Sequence, residues 1–427
     1  MVKVSLSRPK ACEIQTFQLT SPILHIGSSV PKLGPFEYVQ TSDRLYLPDA
    51  DALAKALQQR GRLEDYIKAI EDRQGIIQIL RQTFGEDWLD QTADDGTAIF
   101  PERRTSRKWA KEVTDLRPII RTGLGYVYIP GSSIKGAIRT AILYHLLKHE
   151  AEYQVAPRSR TSAIELKLRE KLNAGLSSFQ QKFLDDDLPV NSLLTESSLY
   201  YQGRAIAARL GPNTDFLRAL KVSDSAPLTA RKVTTKTGQP RIFNFAVVPE
   251  VIVSSHYEDW KAKYRASIYA EMVRDVSTTF TLSLDTEMLS WFTHQQGMKI
   301  PFQTISDILK ICQEFAQDQW DFEHNYWNAV QNNPRASDRN LDFGSIREFY
   351  QAESCPHSLR LGWGSGMTGT TLGLLLEDDL RAEVRDVCGI AAPRFEAPKS
   401  RRTVLNAKGE IRYVPGWVTF KPVAAKP

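Results

Sequence analysis

The run Tyr128–Ile138, YIPGSSIKGAI, sets two glycines, two hydroxyls and a lysine where an extended GYVYIP segment gives way to a helical pattern. That is the layout of a phosphate-binding loop, in which glycines let backbone N–H groups approach an anion and the helix N-terminus adds partial positive charge. A nucleotide-hydrolysing loop reads GxxxxGK[ST], because its lysine reaches the β and γ phosphates and its hydroxyl holds magnesium. Here Gly131 and Gly136 keep the glycine spacing, but Ala137 and Ile138 stand where that Lys and Ser or Thr belong. The metal ligand is missing, so nucleotide hydrolysis is not expected. What survives is phosphate binding without base preference, with Lys135 and Arg139, four residues apart, adding full charges from one helix face. A phosphodiester backbone fits that chemistry. An ordinary Gly-Ser cap on a core helix, with Ser132 and Ser133 in the turn, fits the same residues.

A second cluster, Gly362, Gly364, Gly366 and Gly369 in LGWGSGMTGT, matches no dinucleotide fingerprint, since no acidic ribose partner is placed after it. Close approach of a ligand to the backbone and a plain glycine-rich turn explain it equally well. Two such elements beside basic residues, one in each half, favour a long polyanion over a small phosphate. His25 follows a strand, and histidine can act as general acid or base in RNA cleavage through the 2′-hydroxyl. No second catalytic group is recognisable beside it, so a structural or phosphate-contacting His25 is preferred and no catalytic residue is assigned. His145 and His149 have the i,i+4 spacing that can bind zinc, yet the glutamate of HExxH and a third ligand are absent. They read as surface histidines, and neither metal nor cofactor is expected. Asp185, Asp186 and Asp187 read as solvated acids of a polar loop, and Asp224 in VSDSAP as a loop cap with Ser223 and Ser225 as turn partners. Trp109, among the cations of PERRTSRKWAKEV, can stack on a base.

These residues need elements to hold them. Polar and apolar residues alternate over Glu13–Leu24 as in a half-buried strand, and a second strand, RLYLP, leads into a helix capped by Asp49 or Asp51. Ile134, Ile138, Ala141, Ile142 and Leu146 recur at helical spacing after the first glycine element. The stretches 85–112 and 150–200 read as insertions, the second helical. In the second half, the residues from Pro227 to Val253 form a hairpin with a basic tip around the turn Thr237–Pro240, the cations around Arg231 reading in part as a solvated face, STTFTLSLD is a strand, ISDILKICQEFAQDQW is an amphipathic helix, and LRLGWGSGMTG is a strand running into glycines. Strands mixed with helices, without βαβ repetition, give an α+β class. The 427 residues allow two domains, 1–210 and 211–427. With 42% hydrophobic and 25% charged residues, no apolar run long enough for a membrane helix and no apolar signal core, the cytoplasm is the default location. Four scattered cysteines read as reduced, structural thiols, and a net charge of +5 permits a polyanionic partner without requiring one.

LTSPILHIG, YIPGSSIKGAIRTAIL and RLGWGSGMTG together resemble the RAMP superfamily of CRISPR RNA-binding proteins. GPFEYV, LRALKVSDSAPL, FAVVPE and KSRRTVLNAKGEIRYVPGWVTF are similar, more closely, to the family of fifth subunits of type III-A Csm effector complexes. The match runs through most of the chain in order, and the ordered set is more specific than any one motif. The resemblance implies two RAMP domains of ferredoxin-like, RRM-related fold with helical insertions. It also implies a non-catalytic subunit that caps the 3′ end of the CRISPR RNA and supports its maturation in antiviral defence. A RAMP-type endoribonuclease acting on guide RNA is the alternative. The implied partners are CRISPR RNA and neighbouring RAMP subunits, with target RNA as a further one. RNA contact would fall on Gly131, Ser132, Ser133, Lys135, Gly136 and Arg139, and on Gly362, Gly364, Ser365 and Gly366. Nothing carries over to the two insertions.

Overall fold

A computed structural model describes residues 12–72, 74–175, 188, 190–206, 211, 213–228, 231–234, 240–243 and 246–424. Its centre is the strand Cys12–Leu24, whose alternation buries Phe17 and Leu19 completely. That strand pairs antiparallel with Met272–Asp285 along its length, from Cys12 opposite Asp285 to Leu24 opposite Val273. On its other edge it pairs with Trp417–Pro422. The sheet extends from Leu359–Arg360 at one edge, through Trp417–Pro422, Cys12–Leu24, Met272–Asp285, Ala246–Val248, Thr105–Lys108 and Arg44–Tyr46, to Val39–Gln40 at the other. Leu220–Val222 adds to the far end of Met272–Asp285. A second sheet orders Ala262–Tyr269, Glu250–His256, Arg401–Leu405 and Ile411–Tyr413.

The helix Gly131–Lys148 buries Ile134, Ile138, Ala141, Ile142 and Leu146 in the main core, the face that the 3.6-residue period marks out. It packs against Ile305–Ala329, a longer helix fixed at its start by a capping box between Thr304 and Asp307. The α+β expectation is met by ferredoxin-like sheet units interspersed with helices. The hairpin also forms, with Arg231–Thr234 paired to Pro240–Phe243. Its tip, at residues 235–239, lies outside the described residues, as do the Asp185, Asp186 and Asp187 acids.

The main sheet draws on both halves of the chain, since the strand Cys12–Leu24 finds both its neighbours in the second half. The reading of 85–112 as an insertion is corrected: Thr105–Lys108 enters the main sheet between Arg44–Tyr46 and Ala246–Val248. Its polar side chains hide it from pattern reading, yet Ser106 is fully buried and bonds the Glu271 carboxylate. No helix among the described residues is long and apolar enough to cross a membrane.

Candidate nucleic-acid interface

The first glycine element is a helix start rather than a loop. The helix begins at Gly131 itself, with Pro130 at the cap position, so Gly136 sits one turn inside it. The Gly131 N–H donates to the Asp224 carboxylate at 2.7 Å, so the capping reading of Asp224 holds, with the cap on this helix. A Cβ on Gly131 would meet the carbonyl of Ser223 at 2.7 Å, so its glycine character answers to the protein's own chain. The two cations are also engaged internally. Lys135 Nζ donates to the carbonyls of Leu217 at 2.9 Å and Leu220 at 2.7 Å, and burial lowers its pKa despite the nearby Asp215. Arg139 donates to the Asp215 carboxylate at 2.7 Å. The expectation of two cations free on one face is therefore corrected, because the Asp215–Leu220 turn satisfies both. A groove of about 550 Å³ remains beside them, rimmed by Ser132, Arg218 and Lys221. Ser132 and Gly136 are exposed, and Ser133 is half-buried.

The second glycine element is built differently. Gly362 adopts φ 75° and Gly366 φ 63°, left-handed backbone that favours glycine, and they bracket a tight turn over Trp363–Ser365. A Cβ on Gly362 would strike the Ile26 side chain at 2.8 Å, and one on Gly364 the Pro415 ring at 2.5 Å. The turn is thus pressed onto the end of the first strand, where the Trp363 N–H donates to the His25 carbonyl at 3.2 Å. Gly364 and Ser365 are buried, while Gly362 and Gly366 are partly open. The glycines let the chain approach itself; charge comes from elsewhere.

That charge is arginine. Arg402 lies over the Trp363 ring at 4.4 Å and donates to the Trp363 carbonyl, and Arg117 lies over the same ring at 5.5 Å. Neither is ion-paired with a carboxylate among the described residues. Burial, and then the charges of Arg117 and Arg360, lower the Arg402 pKa, as expected where cations outnumber carboxylates. Behind them a cavity of about 150 Å³ is lined by Arg360, Ser365, Lys399, Arg401 and Arg402. Glu323, 1% exposed, pairs with Arg401 at 2.9 Å and approaches Arg360 at 3.8 Å. The Ser365 hydroxyl and Arg360 Nε find no hydrogen-bond partner among the described residues. The face therefore presents two cations without carboxylate partners over one aromatic ring, with the unsatisfied donors buried behind them.

His25 stands directly behind the turn, its ring edge-on to Trp363, with 2% of its surface exposed. Its Nδ1 bonds the Glu271 carbonyl at 2.7 Å, and burial lowers its pKa. The structural role is the one the geometry supports, and contact of the imidazole with a phosphate is corrected on grounds of burial. Glu271 is itself fully buried and is held ionised by Arg121, which approaches it from the strand-like segment carrying Arg117. Trp109 stacks on Tyr413 with Arg274 over it, so its faces are occupied within the protein.

Sequence reasoning missed Arg117, Arg360 and Arg402. The KSRR run was a visible signal for the last, but only the register of Arg401–Leu405 against Glu250–His256 brings it to the glycine turn. It also missed that Glu314, on the helix Ile305–Ala329, meets His145 and His149. None of the four cysteines is in a disulfide, and burial pushes the thiols of Cys312 and Cys355 up to about 12, in keeping with structural thiols.

Comparison with known proteins places this geometry. The sequence model of the RAMP superfamily matches residues 16–281. A curated relative from Enterococcus italicus, the CRISPR system protein Csm5, is 30% identical over 137 residues, which are 28% of this chain and 39% of that protein. The alignment thus spans about two fifths of the relative. Among solved structures, a chain of the Csm–crRNA–target RNA ternary complex of a type III-A CRISPR-Cas system superposes with a TM-score of 0.58 at 22% identity, covering 95% of this chain and 99% of its own. The Csm5 of T. onnurineus superposes with a TM-score of 0.55 at 20% identity, covering 95% and 100%. At such identities the likeness is one of fold.

Proposed function

This chain belongs to the RAMP superfamily, and on that premise we propose that it is an RNA-binding subunit of a type III-A Csm effector, acting in CRISPR RNA processing and maturation in the cytoplasm. The observation that carries the reading is the glycine turn at Gly362–Gly366, which gathers Arg117 and Arg402 around Trp363 with no carboxylate paired to them among the described residues. A solved chain of like fold belongs to a complex with crRNA and target RNA, which supports those RNAs and neighbouring RAMP subunits as partners. In this reading the chain caps the 3′ end of the guide and holds it rather than cutting it. Contacts through phosphate and ring stacking suit such a role, since an end cap must accept guides of any sequence.

The test is binding of labelled guide RNA over a salt series. Replacing Arg117 and Arg402 by alanine is expected to weaken binding at least tenfold and to flatten the salt slope by roughly 0.7 per lost phosphate contact. Unchanged affinity and slope would remove the reading. A RAMP-type endoribonuclease acting on guide RNA is the second reading, and His25, although buried here behind the turn, is the residue on which to test it. Incubating the protein with labelled guide precursor, with and without divalent metal, separates the two. Cleavage that disappears in His25→Gln, with folding retained, would select the nuclease.

A further inference from the structure

The last turn of the helix Gly131–Lys148 lies roughly 20–25 Å along its axis from the glycine start, and it carries a cluster that the RNA reading does not use. His145 Nδ1 and His149 Nε2 both turn to the carboxylate of Glu314, the second at 2.7 Å. One ligand atom from each of the three residues lies within 4.8 Å of the other two. We infer that these three side chains form a binding site for a divalent transition-metal ion of the zinc class, clamping this helix to Ile305–Ala329.

The chemistry of the donors supports it. Two imidazole nitrogens and one carboxylate oxygen suit zinc, whose bonds to such atoms are about 2.0–2.2 Å and which takes four ligands, the last from water. Histidines at i,i+4 project from one helix face, so the chain supplies two ligands without reorganisation. The remaining nitrogen of His145, Nε2, is 2.9 Å from the Tyr153 hydroxyl. With an ion bound, Nδ1 would give up the proton it shares with Glu314 and Nε2–H would donate to that hydroxyl, the tautomer that coordination through Nδ1 requires. The carboxylate already faces both rings, meeting His145 on one oxygen and His149 and Lys148 on the other. Its side chain is 25% exposed and that of His149 34%, so the site can be reached from solvent.

One group opposes the ion. Lys148 Nζ is 3.1 Å from Glu314, on the oxygen that His149 also meets. The same amine is held by Asp318 at 2.6 Å, and Asp318 also accepts from the Tyr144 hydroxyl. Lys148 can therefore keep Asp318 while Glu314 turns to the metal, though its charge weakens the site. This gives the inference a signature that a purely hydrogen-bonded cluster lacks. Removing Lys148 should tighten metal binding, whereas the same change in a cluster without an ion only deletes a salt bridge.

The experiment uses the full chain, stripped with chelator, and Co²⁺ and Zn²⁺ as probes. One equivalent of Co²⁺ is expected to give the visible absorption of a four-coordinate site, displaced by one equivalent of Zn²⁺, and saturating Zn²⁺ should raise the Tm. His149→Gln, which leaves the packed His145 in place, should lose at least about a hundredfold in Zn²⁺ affinity, and Tyr153→Phe about 10–100-fold. Lys148→Met should bind more tightly than the native chain. Circular dichroism shows whether each variant is folded, and an unfolded His149→Gln would be replaced by Glu314→Gln. Sub-stoichiometric binding, an octahedral Co²⁺ spectrum, or equal affinity in native and His149→Gln chains would overturn the site and leave a hydrogen-bonded cluster only.

Discussion

The two glycine elements offer the same letters to a reader of the sequence and opposite surfaces to a ligand. At Gly131–Arg139 the helix start is capped by Asp224, Lys135 is held by two carbonyls and Arg139 by Asp215. At Gly362–Gly366 the arginines that face the turn have no carboxylate partner among the described residues, and the buried Glu323 lies behind them pairing with Arg401. Glycine beside a cation is therefore not a binding signal by itself. What matters is whether the fold brings a carboxylate to the cation, and in the first element it does. That element anchors a core helix, whereas the second leaves charge for a partner.

Breaking the support of the second element should have the largest effect. Glu323→Ala leaves the buried Arg360 without its carboxylate and Arg401 with only the longer 3.5 Å contact to Glu396, which should cost about 3–5 kcal/mol and appear as a large drop in urea midpoint. Asp215→Ala, at the half-exposed pair of the first element, should cost about 1 kcal/mol or less. Guide RNA affinity should separate the two regions next. Against the tenfold loss expected for Arg117→Ala with Arg402→Ala, Lys135→Ala with Arg139→Ala should change affinity less than about threefold while lowering the Tm. Equal losses in the two double variants would erase the contrast drawn here.

The glycines sharpen it further. Gly131→Ala forces a Cβ against the Ser223 carbonyl and should destabilise by about 1–3 kcal/mol. Gly136→Ala, with no heavy atom within 4 Å of the new Cβ, should stabilise the helix by about 0.5–1 kcal/mol. A folded Gly136→Ala that loses RNA would show that the ligand does approach this helix. The smallest expected effect is with pH. His25 is neutral in the fold because burial lowers its pKa, so the unfolded chain binds the proton first. Its contribution is complete above about pH 6.5 and is lost as pH falls below that value toward the folded pKa. The native chain should lose more Tm between pH 7.5 and 5.5 than a folded His25→Gln variant.

Periodic features were legible in the sequence. The strand Cys12–Leu24 shows in its alternation, and the buried face of Gly131–Lys148 in its 3.6-residue spacing, because each reports a local geometry. The glycine turn at 362–366 was legible as a turn, though not as the partner of His25. Pairings between distant residues were not. Arg121 and Glu271 are separated by 150 residues, His145 and Glu314 by 169, and Arg139 and Asp215 by 76. No short window contains both partners, so free and neutralised cations read alike. The strand Thr105–Lys108 was hidden for a related reason, since its place in the sheet rests on a buried serine and a distant glutamate rather than on apolar alternation.

The pairing of Cys12–Leu24 with Met272–Asp285 and Trp417–Pro422 bears on how the molecule is made. A ribosome adding roughly 5–20 residues per second needs on the order of 10–50 s to travel from the first of these strands to its first neighbour. Through that interval the strand that will lie at the middle of the sheet emerges with both edges bare, and the second edge waits longer still, until Trp417–Pro422 has been made. Nascent chains of this protein should therefore be clients of ribosome-associated chaperones, and slowing elongation should lower the yield of assembled subunit more than it does for a protein whose first strand pairs with its second.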